Sequence, residues 1–257
     1  METTHQDDPM ITYLPNFADH ILFFLLGIIM PFRSIQAQKQ IKQLEYNTST
    51  KIQMYWINGF GLWAMAVIVL LVWYFSGRLV MNLGLGWPPP ALDRVSSILV
   101  TVFVILYLLD VGSELATRAL REKTFQRWIS DMPFLPAKDV EWLHFNFLSL
   151  SAGICEEIVF RGFFITYLYS ILQFLPLQVA QTLAILFPAI IFGFVHYYQG
   201  WKAMLKISLM AILFGYVFVL TGSLWLLILL HFLVDLLGGS FSWWLHQRYG
   251  PVLSEEE

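Results

Sequence analysis

Seven stretches of this chain are apolar over about the length a helix needs to cross a bilayer, roughly 20 residues. They are 17–32, 57–76, 95–112, 143–172, 179–198, 203–221 and 223–244. The chain is 58% hydrophobic and only 13% charged, against about 45–50% and about 25% for soluble domains. Both departures point to a polytopic membrane protein. The expected fold is all-α, a membrane helical bundle of about seven transmembrane helices, with eight as the alternative count. The first stretch is short. The fourth is too long for one straight crossing, so its start is expected to project into water.

The connections divide the chain. Leu83-Gly84-Leu85-Gly86-Trp87-Pro88-Pro89-Pro90 reads as a turn between the second and third spans. Residues 33–55 read as a polar loop or surface helix, and 113–142 as a second loop rich in basic residues. Three parts result: N-terminal spans and loops over 1–142, a helical core over 143–245, and an acidic tail over 246–257 that ends Ser254-Glu255-Glu256-Glu257.

Basic residues set the expected orientation, because cytoplasmic loops carry the excess of Lys and Arg. One side has Arg33, Lys39, Lys42, Lys51, Arg118, Arg121, Lys123, Arg127, Lys138, Lys202, Lys206 and Arg248, and the other only Arg78 and Arg94. Loops 33–55 and 113–142 and the C-terminus are therefore expected in the cytoplasm, with the N-terminus outside for seven spans. A net charge of −3 gives no reason to expect nucleic acid as a partner. A single cysteine excludes an intramolecular disulfide and a cysteine zinc cluster. The acidic stretch Met1 to Pro9 has no basic n-region, so no cleaved signal peptide is expected, and neither end shows a lipidation motif.

The polar residues inside these segments are the candidates for chemistry. In Ile154-Cys155-Glu156-Glu157-Ile158-Val159-Phe160-Arg161 two adjacent carboxylates sit in apolar sequence, where each ionised group costs a few kcal/mol or roughly more. Neighbours on a helix point about 100° apart, whereas Glu157 and Arg161 are i,i+4 and share a face. Glu157–Arg161 therefore reads as a local ion pair, and Glu156 is left to face a cavity. His196 ends the run Phe192-Gly193-Phe194-Val195-His196, and His231 and Asp235 are again i,i+4. Asp235 is a candidate acceptor for the His231 ring, fixing its tautomer. The plain alternative for all of these is a set of polar contacts between helices. Cys155 reads as small apolar packing, since burial disfavours the thiolate a nucleophile needs.

Taken together, Glu156-Glu157-x-x-x-Arg161, Phe192-x-x-x-His196 and His231-x-x-x-Asp235 resemble the CAAX protease and bacteriocin-processing (Abi) family, the type II CAAX prenyl endopeptidase group. The resemblance covers about 143–240. It implies an intramembrane endopeptidase acting on a prenylated C-terminal tail or a membrane-associated peptide or leader. It further implies that Glu156 and His196 activate the attacking water, that His231 and Asp235 bind the developing oxyanion, and that Glu157 and Arg161 support the site.

An amide at the last position can donate to an oxyanion, whereas an ionised aspartate cannot. Asp235 must carry a proton, orient His231 or ligate a metal. Metal dependence is open as well. Glu156, His196 and His231 are candidate ligands for a divalent ion such as zinc, and an ion-free carboxylate-activated water is the equal alternative. The expected partners are a peptide or lipidated protein substrate and the bilayer; oligomeric state is not readable. Two other functions compete: a catalytically silent membrane scaffold or immunity protein on the same fold, and a proton-coupled transporter, since intramembrane acids and histidines also build proton relays.

Overall fold

In a computed structural model, which describes residues 12–41 and 44–253, every regular element among the described residues is a helix. Helix α1 (Phe17–Phe24) continues through a π turn (Leu25–Ile29) into α2 (Met30–Ile41). Helix α3 (Thr48–Phe75) ends before a short 3₁₀ turn (Val80–Leu83), and α4 (Arg94–Leu115) and the shorter α5 (Arg118–Asp131) follow. Helix α6 (Asp139–Glu156), a π segment (Glu157–Ile165) and α7 (Thr166–Ile171) form one uninterrupted helix, about 50 Å long at about 1.5 Å per residue. Helix α8 (Leu177–Val195), a 3₁₀ turn (Tyr197–Gln199), α9 (Trp201–Thr221) and α10 (Trp225–Leu253) complete the chain.

Among the described residues, six helical stretches are long and apolar enough to cross a membrane: Phe17–Gln36, Thr48–Phe75, Arg94–Leu115, Leu177–Val195, Trp201–Thr221 and Trp225–Gly250. The remaining expected span, 143–172, falls on the long 139–171 helix. The protein is an integral membrane helical bundle. The acidic stretch 1–9 and the closing residues 254–257 lie outside the described residues.

Boundaries differ from the sequence reading where caps decide them. Helix α3 starts at Thr48, inside the expected polar loop, because the Asn47 side chain accepts the Thr50 N–H and closes the first turn. The second basic loop contains α5, opened in the same way by the Thr117 side chain accepting from Leu120 N–H. Hydropathy cannot see either start, because the capped turns are polar.

Helix α6 lies between α3 and α10, and α8 pairs with α9. A Cβ at Gly153 on α6 would come within 2.9 Å of Phe232 N and 3.1 Å of Ile228 O on α10, so only glycine permits this approach. The turn after α3 is drawn inward. Leu83 is buried, Gly84 takes φ +83°, the Leu224 N–H donates to the Gly84 carbonyl at 2.9 Å, and Trp225 Nε1–H donates to the Gly86 carbonyl at 2.7 Å. This turn sets the start of α10, and with it the height of His231.

Two polar clusters tie helix ends together. Arg78, after α3, grips buried Asp19 of α1 with two bonds of 2.7 and 2.6 Å, under the Tyr13 ring. At the start of α6, Glu141 accepts from Thr48 Oγ1 at 2.8 Å, Lys51 Nζ at 3.1 Å and the Ala137 N–H at 2.8 Å. Lys51 also donates to the Leu135 carbonyl, and Tyr55 to the Phe134 carbonyl. The 132–138 connection is thus pinned to α3.

Candidate active site

The polar residues singled out in the sequence come from three elements: the junction of α6 with the π segment, the end of α8, and the first third of α10. Glu157 is fully buried and Arg161 is 2% exposed. Arg161 Nη1 donates to Glu157 Oε1 at 2.7 Å, and its guanidinium lies over the rings of Phe192 and Phe214, 4.8 and 5.5 Å from their centroids. The pair is local in sequence, yet it is tolerable only because those two rings and a second donor surround it.

That second donor is His231. Its Nδ1 lies 2.7 Å from the same Glu157 oxygen. A carboxylate can only accept, so Nδ1 carries the hydrogen. Here the structure corrects the sequence reading, in which Asp235 fixes the His231 tautomer. Asp235 Oδ2 is 3.7 Å from His231 Nε2, beyond a hydrogen bond, and Glu157 takes the fixing role. The i,i+4 spacing on α10 puts Asp235 on the right face but not in line with a ring nitrogen. Glu156 Oε2 stands 3.6 Å from the same Nε2. His231 Nε2 therefore faces the gap between Glu156 and Asp235. Oε2 of Glu156 is buried and accepts no hydrogen bond from the described residues. Asp235 is more open than Glu156, with its side chain 35% exposed against 15%.

His196 caps the C-terminus of α8. Its Nδ1 sits 2.7 Å from the Phe192 carbonyl, so Nδ1 donates and Nε2 is left as an acceptor. The Phe192 ring lies against both histidines, 4.7 Å from the His196 ring and 5.9 Å from the His231 ring between centroids. Counting along straight helices puts His196 and His231 at different depths. The structure closes the gap by placing His196 on the turn that leaves α8, with the Phe192 ring between them. Cys155 is buried in the apolar core, as small-residue packing requires.

One further residue belongs here. Tyr198 follows His196 on the 3₁₀ turn, with its ring 6.0 Å from that of His196 and 5.6 Å from that of Phe134. Its hydroxyl accepts from Gln199 Nε2 at 3.1 Å. Burial first, and then the neighbouring Glu156 and Asp235 carboxylates, push its phenol up to about 12, against the lowering effect of the Gln199 amide. The sequence offered one weak signal for it, a polar aromatic two residues past a motif histidine.

Among the described residues, no three His, Cys, Asp or Glu side chains are arranged to hold a metal ion. His231 Nδ1 is committed to Glu157 and His196 Nδ1 to a carbonyl. Those bonds leave each Nε2 as the ring nitrogen that water, substrate or an ion would meet. What the arrangement offers is a buried carboxylate with a free oxygen, an imidazole acceptor, and an imidazole held by a carboxylate–guanidinium pair.

A protein-family model described as type II CAAX prenyl endopeptidase, Rce1-like, matches residues 138–237. The match runs from the foot of α6 into α10 and takes in Glu156, Glu157, Arg161, His196, His231 and Asp235. No curated protein and no solved structure matches the chain. Residues 138–237 are therefore similar to the type II CAAX prenyl endopeptidase family.

Proposed function

We propose that the protein is an intramembrane endopeptidase that hydrolyses a peptide bond in a prenylated C-terminal tail or a membrane-associated peptide. The observation that carries this reading is Glu156 Oε2, a buried carboxylate oxygen without a hydrogen-bond partner, 3.6 Å from an imidazole nitrogen. A buried acceptor left open is costly, and a general base for water is a use that repays it.

In this reading a water lies between Glu156 and His196 Nε2. Glu156 takes one of its protons as the oxygen attacks the scissile carbonyl. The carbonyl's π pair moves onto its oxygen, which turns toward His231 Nε2. Glu157 and Arg161 hold the His231 ring in orientation. The intermediate collapses with cleavage of the C–N bond, and the proton held by Glu156 passes to the leaving nitrogen. Asp235, at the open rim 3.7 Å from His231 Nε2, adds a second negative charge beside the ring. The loops 33–55 and 113–142 and the C-terminus face the cytoplasm, and 143–245 is the catalytic core.

Purified protein in lipid nanodiscs tests this, with a prenylated C-terminal peptide and a panel of double-glycine leader peptides as substrates. Wild type should cleave at least one. Glu156→Gln and His196→Ala should each lose about 10²–10⁴-fold, the range of general acid–base catalysis. Equal cleavage by all three proteins would mean a contaminant and would end the assignment. A parallel chelator arm tests metal dependence.

A further inference from the structure

Set among the Glu157, Glu156 and Asp235 carboxylates, the His231 ring serves here as the imidazolium, with a hydrogen on each nitrogen; its Nε2–H is then a single donor for an oxyanion that such sites ordinarily hold with two. Asp235 has no hydrogen to give while it is ionised. Tyr198, whose phenol lies near enough to feel the Glu156 and Asp235 carboxylates, brings another hydroxyl to this side of the site. It lies on the turn that begins at His196, its ring is held between His196 and Phe134, and its oxygen already accepts from Gln199. Acceptance from Gln199 leaves the O–H as the free function of that side chain. The side chain is half-buried, open enough to meet a substrate and fixed enough to be aimed.

We infer that Tyr198 is a further catalytic residue, whose hydroxyl donates a hydrogen bond to the carbonyl oxygen of the scissile peptide and strengthens that bond as the oxyanion forms. The inference rests on the peptidase reading above. Tyr198 keeps its proton throughout. The carbonyl's π pair becomes the oxyanion lone pair held by Tyr198 O–H and His231 Nε2–H, and it returns to carbon when the C–N bond breaks. Phe134 and the pinned 132–138 connection keep the phenol from swinging away, so Tyr55 and Lys51 on α3 support Tyr198 through that connection.

The test is Tyr198→Phe, alone and combined with Asp235→Asn, in nanodiscs with whichever peptide the wild type cleaves. The single variant keeps the ring contacts, so its thermal midpoint should match wild type. Its kcat should fall about 10²–10³-fold, the cost of losing one oxyanion donor, with KM little changed. In the double variant the amide introduced at position 235 can donate where the phenol no longer does, and kcat should recover at least about tenfold over the single variant. Tyr198→Phe cleaving within about threefold of wild type overturns the inference, as does a loss that Asp235→Asn does not relieve. An inactive wild type, or a Glu156→Gln variant as active as wild type, removes the peptidase reading itself and the inference with it. Those outcomes are read in different lanes.

Discussion

Replacing Arg161 by methionine tests the most deeply buried charge pair of the site. The guanidinium is 2% exposed, Glu157 is fully buried, and the bond between them is 2.7 Å. At an effective dielectric of about 20, Coulomb attraction at that distance is about 6 kcal/mol. Losing a buried arginine also removes its own desolvation penalty, which is large because Nη2 has no partner among the described residues. His231 remains to hold the Glu157 oxygen. The net cost should sit at the lower end of the range for breaking a buried pair, about 3 kcal/mol, or roughly a hundredfold in the unfolding equilibrium. Glu157→Gln added to Arg161→Met removes the stranded carboxylate, and the amide oxygen of the new side chain can still accept from His231. The double variant should therefore recover to within about 1 kcal/mol of wild type while remaining inactive. Unfolding in mixed micelles, followed by tryptophan fluorescence, gives both numbers. A single variant that loses less than about 1 kcal/mol, or a double variant as unstable as the single, would refute the account of this pair as a mutually dependent buried unit.

Gly153→Ala should destabilise by about 1–3 kcal/mol and reduce cleavage, because the new methyl meets backbone of α10 at 2.9 Å and displaces the helix that carries His231. Gly61→Ala on α3, where nothing lies within 4 Å, is the control and should raise the thermal midpoint through helix propensity; equal effects at both positions would contradict the α6–α10 approach. Glu141 should confer acid sensitivity. Burial raises its carboxyl, but the Ala137 N–H, Thr48 and Lys51 outweigh that and hold it below the usual glutamate value. Its stabilisation is present above the unfolded pKa of about 4.3 and is lost as pH falls through the lower folded value. The thermal midpoint of wild type should consequently drop more steeply below about pH 4 than that of Glu141→Gln, and identical slopes would remove Glu141 from the account.

The spans were legible because hydrocarbon length is written directly in apolar run length. The Glu157–Arg161 contact was legible because it lies within one helical turn. The partner of His231 was not. Glu157 is 74 residues away in sequence, and the choice between it and Asp235 is made by how α6 approaches α10 at Gly153, which no local spacing encodes. Tyr198 was missed for a related reason: its significance comes from Phe134, brought over it by the bonds to Lys51 and Tyr55 on another helix. The start of α3 at Thr48 was hidden because a cap is a single polar side chain, invisible to hydropathy. The matched family region and the motif residues read from the sequence coincide over 143–237.

The π segment Glu157–Ile165 gives the long helix two independent phases. Its i→i+5 winding takes up one more residue than an α-turn needs. On one side of it, Glu157 faces His231; on the other, Tyr167 meets His20 and Phe23 of α1. A uniform α-helix built from the same residues would satisfy one of these alignments and turn the other away. The extra residue acts as a phase adjuster between the half that meets His231 and the half that anchors α1. Deleting one residue from this stretch would leave hydropathy and span count intact, yet rotate the paired carboxylates by about 100° relative to α7.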